Sequence, residues 1–297
     1  MTSVSSTSPA AGDGTLGLRH AEGPLARRVT KGPTLYLRTT LPPQAPKGAV
    51  ALIHGFADHG GRYAHVAGAW AGRGLATAAI DLRGHGRAEG ERGVCERFDE
   101  YLDAARELEA AIRERVPGVP YFLFGHSFGG LVATLRVLDV PAPYRGLLLT
   151  GPNFGIAVKV PAMKKLAGRV ASRILPSFAL PSGLVGADMT HDAAAARAYD
   201  QDPLVFHEAR ARWFTETVAA QERALLRAAS LALPLRITMG SADRVSEVDA
   251  ARRFFNAASS ADKAFDVRPG LFHEVLNEPE WPAIAGAMAD WMLARLP

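Results

Sequence analysis

Short apolar segments alternate with amphipathic ones along most of the chain. Seven short runs rich in aliphatic and β-branched residues predict strands: Thr34–Thr39, Gly48–Ile53, Leu75–Ile80, Pro120–Phe124, Leu147–Thr150, Leu235–Met239 and Ala264–Arg268. Between them, apolar residues spaced about 3.6 apart predict helices: His65–Arg73, Phe98–Val116, Leu131–Leu138, Val248–Ala257 and Pro282–Arg295. This alternation predicts an α/β fold with a mostly parallel central sheet flanked by helices.

The segment between Gly151 and Arg227 interrupts the alternation. It has helical and loop signals but no convincing strand, so we expect a helical cap inserted after the strand at 147–150. The expected organisation is a disordered tail at 1–14, a core formed by 15–150 and 228–297, and a cap or lid at 151–227. We expect neither a transmembrane helix nor a secretory signal, because no segment has the required apolar pattern.

Composition narrows the class of protein. Hydrophobic residues make up 48% of the 297 and charged residues 22%, which is typical of a globular protein and excludes a mostly disordered or fibrous chain. The net charge of +4, from 34 basic and 30 acidic residues, is not gathered into a basic run, so we expect no nucleic-acid partner. The single Cys95 cannot form an intrachain disulfide, which fits a reducing compartment and predicts a cytoplasmic protein.

A G-x-S-x-G motif occupies Gly125–Gly129, between a predicted strand and a predicted helix. In this context the serine stands on a sharp, strained turn at the top of the sheet. The glycines are needed because side chains at their positions would collide with neighbouring strands. The motif therefore predicts that Ser127 is a nucleophile, and a structural turn serine is the alternative.

A serine nucleophile needs a histidine base and an acid that orients it. In this arrangement the acid follows the serine and the histidine comes last. Asp243 comes directly after the sixth predicted strand and His273 directly after the seventh, whereas Asp249 and Asp266 fall at a helix start and inside a strand. We predict the triad Ser127, Asp243 and His273; the alternatives are a turn-forming aspartate and a surface-loop histidine.

The oxyanion of the reaction intermediate needs two backbone N–H donors. The order of the elements predicts Phe128, directly after the nucleophile, and Phe56, in the loop after the second predicted strand. We interpret His54 as a structural residue of that loop. Asp81 and His85 lack the further ligands that a metal site needs, so we expect no metal and no cofactor.

Six stretches resemble the α/β-hydrolase superfamily and, within it, the monoacylglycerol lipase and lysophospholipase family: HGFADHGGRY (54–63), DLRGHGRAEGERG (81–93), GHSFGG (125–130), YDQDPL (199–204), GSADRV (240–245) and FHEVLNEPE (272–280). They span nearly the whole chain after the tail, and the first two are more specific to that family than the serine motif. The resemblance implies the same triad and the same oxyanion donors. It also implies a polar pocket for a glycerol head group, formed by Asp58, Arg62 and Tyr199.

The chain departs from the family pattern at two positions. The family's usual glutamate in the first stretch is the shorter Asp58, and a second histidine present in some members is replaced by Leu276. Both departures leave the head-group preference open. Without the resemblance, Asp58 and Arg62 would be interpreted as an ion pair on the surface.

One amphipathic stretch of the cap has three interpretations. Its apolar residues recur at helical spacing: Met163, Leu166, Val170 and Ile174. Its basic residues occupy other faces: Lys164, Lys165, Arg169 and Arg173. This pattern is typical of a cap helix packed on the body of the protein, which we favour, and also of a helix on an anionic membrane surface. In the third interpretation, apolar residues nearby line an acyl tunnel: Phe154, Ile156, Leu175, Phe178 and Leu180.

The predicted function is hydrolysis of a single-chain lipid ester, a monoacylglycerol or a lysophospholipid, through an acyl-enzyme. An esterase or thioesterase for small soluble acyl groups is the alternative. An amidase or peptidase and a non-catalytic lipid-binding module rank below it. The expected partners are the lipid ester and, through the cap, a membrane surface at which the protein is peripheral; no oligomeric state is predicted.

Overall fold

The computed structural model describes residues 17–141, 143–157 and 172–297. The β-strands are β1 (Arg19–Leu25), β2 (Leu35–Leu41), β3 (Gly48–Ile53), β4 (Leu75–Asp81), β5 (Tyr121–His126), β6 (Tyr144–Thr150), β7 (Ala179–Pro181), β8 (Glu208–Arg210), β9 (Leu235–Gly240) and β10 (Lys263–Arg268). The α-helices are α1 (Ala64–Ala71), α2 (Asp99–Arg115), α3 (Phe128–Asp139), α4 (Gly186–Met189), α5 (Ala193–Gln201), α6 (Ala211–Leu226), α7 (Val248–Ala257) and α8 (Trp281–Leu293).

Eight of these strands form one central sheet in the order β1-β2-β4-β3-β5-β6-β9-β10. β2 runs antiparallel to both β1 and β4. The other neighbours in the sheet are parallel. The predicted mostly parallel sheet is therefore confirmed, and the carboxyl ends of β3, β5, β6 and β9 meet at one edge.

The sheet separates two hydrophobic cores. Along β3, Ala49, Ala51 and Ile53 face one core and Val50 and Leu52 the other, and the whole strand is buried. Helices α2, α3, α6 and α7 contribute to the first core, while α1 and α8 contribute to the second. Burial on both faces explains why β3 has an unbroken apolar sequence rather than an alternating one.

The predicted elements agree with the structure except near polar segments. The strand at 48–53 and the helix at 248–257 have the predicted bounds, and α3 begins earlier than expected, at Phe128. The sequence pattern missed β1, because its segment RHAEGPL is an exposed edge with only Leu25 buried. The tail at 1–14 lies outside the described residues.

The segment between β6 and β9 is mainly helical, but the expectation that it lacks strands is wrong. β7 and β8 pair as an antiparallel ribbon, and at three residues each they are too short to give an alternating pattern. We propose that this segment, 151–227, is the cap on a core formed by 15–150 and 228–297. None of the helices within the described ranges is long and apolar enough to cross a membrane.

The amphipathic stretch of the cap falls largely outside the described residues: Met163, Lys164, Lys165, Leu166, Arg169 and Val170. Its last apolar position, Ile174, is 71% exposed, and Arg173 beside it is exposed as well. The proposed acyl tunnel does not form from the residues predicted to line it. Phe154 is stacked on Phe254 in the core, whereas Leu175, Phe178 and Leu180 are at least half exposed.

The turn between β5 and α3 has a strained backbone held by close contacts. Ser127 has φ 51° and ψ −117°, a left-handed conformation that is unusual for a residue with a side chain. Its N–H donates to the carbonyl of Thr150 at 2.9 Å, which ties the turn to the end of β6. A Cβ on Gly129 would lie 2.4 Å from the carbonyl oxygen of Ile53 in β3, which is the predicted collision with a neighbouring strand. A Cβ on Gly125 would instead lie 2.4 Å from the carbonyl oxygen of Gly129 in α3, so both positions require glycine.

We expect Gly129→Ala to destabilise the protein by about 1–3 kcal/mol, because its methyl group would press on the carbonyls of Ile53 and His54. The free energy of unfolding in urea measures this. Gly23→Ala is the matched control, since a Cβ at Gly23 meets nothing within 4 Å. Equal stabilities of the two variants would contradict the steric account of the turn.

Candidate active site

Ser127 lies at the carboxyl edge of the sheet, where β5 ends and α3 begins. It is 6% exposed, and the N-terminus of the 12-residue helix α3 directs its positive end toward it. Helix α3 is well formed because eleven of its residues are buried. The serine is therefore held at a covered, electropositive position by two core elements.

His273 and Asp243 are joined by a hydrogen bond of 2.8 Å between Nδ1 and Oδ2. The other carboxylate oxygen, Oδ1, accepts the N–H groups of Val245 at 2.8 Å and Ser246 at 2.9 Å. Since an ionised Asp243 can only accept, Nδ1 of His273 carries the proton and Nε2 is left as the basic nitrogen. The two residues follow β9 and β10, as the sequence predicts.

Burial alone lowers the pKa of His273, but the charge and hydrogen bond of Asp243 outweigh it, and the pKa lies above its ordinary 6.5. Burial raises the pKa of Asp243, but the charge and hydrogen bond of His273 bring it below the ordinary 3.8. His273 is thus a stronger base than free histidine. Burial and His273 lower the pKa of the neighbouring His126 to about 4, so that ring stays neutral.

Ser127 and His273 have neighbouring residues in common at the carboxyl edge of the sheet. The His126 and His273 rings lie 4.8 Å apart between centroids. A Cβ on Gly151 would lie 3.0 Å from the His273 ring, and Gly151 follows Thr150, whose carbonyl accepts the Ser127 N–H. Ser127 and the His273–Asp243 pair therefore both lie near the end of β6, where the triad is predicted. Their catalytic roles stay a prediction.

The two predicted oxyanion donors are neighbours. The rings of Phe56 and Phe128 are 6.2 Å apart, and neither backbone N–H donates to another group in the described part of the chain. Ala57, directly after Phe56, has a positive φ of 58°, as Ser127 does at 51°, which is unusual for a residue with a side chain. His54 secures this loop, because Nδ1 bonds the carbonyl of Gly55 at 2.7 Å and Nε2 accepts the Leu82 N–H at 3.0 Å.

Aromatic side chains of the cap cover this loop. Trp213 of α6 stacks on Phe56 with 3.6 Å between ring centroids and lies 5.3 Å from Phe128. Phe206 contacts Phe56 edge-on at 5.2 Å. These contacts form an apolar roof of Trp213 and Phe206 over the Phe56 loop. The sequence analysis missed Trp213, since no motif distinguishes a single tryptophan on a cap helix from a core residue.

The residues of the predicted head-group pocket also come together. Arg62 Nη1 lies 3.2 Å from Asp58 Oδ1, and the guanidinium lies 4.8 Å above the Tyr199 ring. The side chains of Arg62 and Asp58 are only 10% and 3% exposed. They are not the surface ion pair that their residue types alone suggest.

Glu274 is part of this cluster and was missed by the sequence analysis. Its two oxygens bind Arg62 in a bidentate pair, at 2.6 Å to Nη1 and 2.7 Å to Nη2. Asn277 donates to Oε2 at 2.8 Å. Burial raises the pKa of Glu274, but Arg62 outweighs it and the carboxyl stays ionised. The sequence offered one indication of a role for Glu274, because it directly follows the predicted base His273.

The cap is bonded to the loop that carries His273. Glu278, whose side chain is fully buried, accepts the backbone N–H groups of Phe272 and His191, both at 2.7 Å. The Glu274 N–H donates to the carbonyl of Met189 at 2.8 Å. The position of the base thus depends on contacts across the boundary between cap and core.

Other candidate residues have structural surroundings. Asp81 accepts the N–H groups of Gly60 and Arg87 and pairs with Arg38. Across the described ranges, no three His, Cys, Asp or Glu side chains gather as a metal site requires. Burial raises the pKa of Cys95 to about 11, so its thiol stays protonated at neutral pH and is a poor nucleophile.

Residues 44–280 match the protein family described as serine aminopeptidase, S33. The chain is 32% identical over 261 residues to a monoacylglycerol lipase of Mycolicibacterium smegmatis, covering 86% of this chain and 91% of that protein. It is 32% identical over 238 residues to a phospholipase of Bacillus subtilis, covering 79% and 91%. The crystal structure of a monoacylglycerol lipase from Paleococcus ferrophilus is similar with a TM-score of 0.79 at 28% identity, covering 88% of this chain and 99% of that one.

These similarities extend over the core and the cap alike. The family match begins before β3 and ends just before α8, so it contains Ser127, Asp243 and His273. The chain therefore belongs to this family of serine hydrolases with the α/β-hydrolase fold, and it is similar over most of its length to monoacylglycerol lipases.

Proposed function

We propose that this protein hydrolyses carboxylic esters of single-chain lipids through an acyl-enzyme on Ser127. The observation that carries the proposal is the buried His273–Asp243 pair next to a serine on a strained turn. Relatives named as a monoacylglycerol lipase and a phospholipase support a lipid ester as substrate. The reaction needs only groups of this chain and water.

In the first half-reaction, Ser127 Oγ attacks the ester carbonyl while His273 Nε2 accepts its proton. The carbonyl oxygen becomes an oxyanion that the N–H groups of Phe56 and Phe128 stabilise. The C–O bond to the alcohol then breaks, and His273 gives the proton to the leaving oxygen. Asp243 keeps the ring oriented and stabilises its positive charge during these steps.

In the second half-reaction, water takes the place of the departed alcohol. His273 accepts a proton from the water, whose oxygen attacks the acyl carbon of the ester formed with Ser127. The same two N–H groups stabilise the second oxyanion. Breakdown of this intermediate releases a fatty acid and returns the proton to the serine.

The surroundings of Ser127 favour a substrate with one apolar and one polar part. The aromatic roof of Trp213 and Phe206 offers an apolar surface for an acyl chain. Asp58, Arg62 and Tyr199 offer charged and polar groups for an alcohol that carries hydroxyls. We propose that the acyl chain lies against the exposed side of this aromatic group and the head group meets the polar cluster.

A peptidase or amidase is the second candidate, because the matching family is described as serine aminopeptidase. The same triad can cleave amides, whose leaving amine also takes its proton from the histidine. Matched esters and amides of one acyl group distinguish the two functions. We expect the ester to be hydrolysed much faster.

We further propose that the protein works in the cytoplasm as a peripheral protein and meets lipid surfaces through its cap. Within 174–180 of the cap, four apolar side chains are at least half exposed: Ile174, Leu175, Phe178 and Leu180. Isolated exposed apolar residues are common, but neighbours in sequence on one exposed segment are typical of an interaction surface. Arg173 beside them favours anionic lipid. The single, buried Cys95 fits a reducing compartment.

A substrate panel tests the function. Glycerol monoesters of increasing acyl length are assayed beside soluble short-chain esters, thioesters and matched amides. We expect long-chain monoesters to be the best substrates, and Ser127→Ala to lose activity and fluorophosphonate labelling by several orders of magnitude. Ser230→Ala, at an exposed serine, serves as the control. Activity confined to short soluble esters would contradict the lipid assignment.

The pH dependence tests the role of His273. Because the ring must be neutral to accept the Ser127 proton, activity falls as the pH drops through its pKa, which lies above 6.5. We expect the acidic limb of kcat/KM to have its midpoint above that value. Asp243→Asn removes the charge that raises this pKa, so the midpoint moves down and the rate falls by about 10⁴-fold. Asp266→Asn is the control, and an unmoved midpoint in Asp243→Asn would contradict the pairing.

Vesicle binding tests the lipid surface. Replacing both Leu175 and Phe178 by serine is expected to weaken co-sedimentation with anionic vesicles by about tenfold or more, because two exposed apolar side chains no longer enter the lipid. Val29→Ser removes a similarly exposed apolar side chain that lies outside the cap, and this variant should bind like the wild type. Equal binding of all three proteins would place the contact elsewhere.

A further inference from the structure

Both terminal nitrogens of Arg62 are engaged by carboxylates. Among the described residues, Arg62 supplies the only guanidinium of the proposed head-group pocket. Glu274 binds Nη1 and Nη2 of Arg62 at 2.6 and 2.7 Å, and Asp58 approaches Nη1 at 3.2 Å. Tyr63 donates its hydroxyl to the second oxygen of Asp58 at 2.8 Å. An arginine held in this way has little capacity left to bind a phosphate group of a ligand.

The cluster has an excess of negative charge. Arg62 holds the pKa of Asp58 and of Glu274 below their ordinary values, so two carboxylates face one guanidinium. Their side chains are 3% and 5% exposed, so water screens this charge weakly. The adjacent His126 is neutral, because burial lowers its pKa to about 4.

The cluster also borders the place where the leaving alcohol must lie. A Cβ on Gly55 would lie 3.5 Å from Ser127 Cβ and 3.7 Å from Asp58 Oδ2. Ser127 and the Asp58 carboxylate are therefore both close to Gly55. Glu274 follows His273 in the chain, and His273 must reach the leaving oxygen to protonate it. The charge of the cluster therefore acts on the head group rather than on the far end of the acyl chain.

We propose that Glu274 determines specificity by neutralising Arg62, so that the pocket accepts hydroxyl-bearing or cationic leaving groups and rejects those that carry a phosphate. This rests on the proposed ester hydrolysis and decides between the two head-group classes left open by the sequence. When Glu274 is replaced by glutamine, its amide oxygen can still accept one N–H of Arg62, but the cluster loses its net negative charge and one N–H donor of Arg62 becomes available to an anion.

Three oleoyl esters test the proposal, those of glycerol, glycerol phosphate and choline, each at a low mole fraction in neutral detergent micelles so that surface charge stays constant. We expect wild-type kcat/KM to be lowest for the phosphate ester, with the cationic choline ester accepted. In Glu274→Gln, which keeps a hydrogen-bonding side chain, we expect the preference for glycerol over glycerol phosphate to shrink by about tenfold or more. Glu274→Asp keeps the charge and should keep the preference.

Glu114→Gln is the matched control, because Glu114 forms an exposed pair with Arg28 and should leave the ratio unchanged. Active enzyme is counted by fluorophosphonate labelling in each preparation. A wild type that prefers the phosphate ester overturns the proposal, and so does a ratio that Glu274→Gln leaves unmoved. If Glu274→Gln does not fold, the order of the three esters in the wild type still decides. A wild type that hydrolyses none of them contradicts the proposed function itself, which is a different result from an unmoved ratio.

Discussion

The geometry of the site depends on one close approach between backbones. The first turn of α3 lies against the end of β3, and a Cβ on Gly129 would collide with the carbonyls of Ile53 and His54. This contact brings the loop that carries Phe56 beside Phe128, and it holds Ser127 in a conformation that a free chain would rarely adopt. The strain is sustained because β3 and β5 are central, fully buried strands.

Both parts of the proposed triad are bonded to the cap. Ser127 lies between the sheet and α3, and its carbonyl also accepts the N–H of Asn153, at the start of the cap segment, at 3.0 Å. The loop that carries His273 is bonded to the cap, since Met189 accepts the Glu274 N–H and Glu278 joins Phe272 to His191. The cap is therefore part of the structure that positions the base, in addition to covering the site. A change in these cap contacts reaches the chemistry through the orientation of His273.

The sequence predicted the residues whose role follows from their place in the chain. Ser127, Asp243 and His273 stand directly after strands, at the point where an apolar pattern ends, so local information was sufficient to predict them as a triad. Glu274 and Trp213 act through partners distant in the chain; Arg62 and Glu274 are separated by 212 positions. Such pairs leave no local pattern. The short β7 and the polar β1 were missed for a related reason, because neither carries the apolar alternation that identifies a strand.

The buried charges of the proposed head-group pocket explain one departure from the family pattern. Taking two carboxylates and a guanidinium out of water is costly, and such a set is stable only while each charge is paired or hydrogen-bonded. Asp58 is one methylene shorter than the family's glutamate and reaches Arg62 only at 3.2 Å, whereas Glu274 makes the two short bonds. Glu274 is thus the main partner of Arg62, and Asp58 is free to take hydrogen bonds from Tyr63 and from the backbone of His59. The shorter side chain of Asp58 is tolerated because Glu274 already balances the positive charge of Arg62.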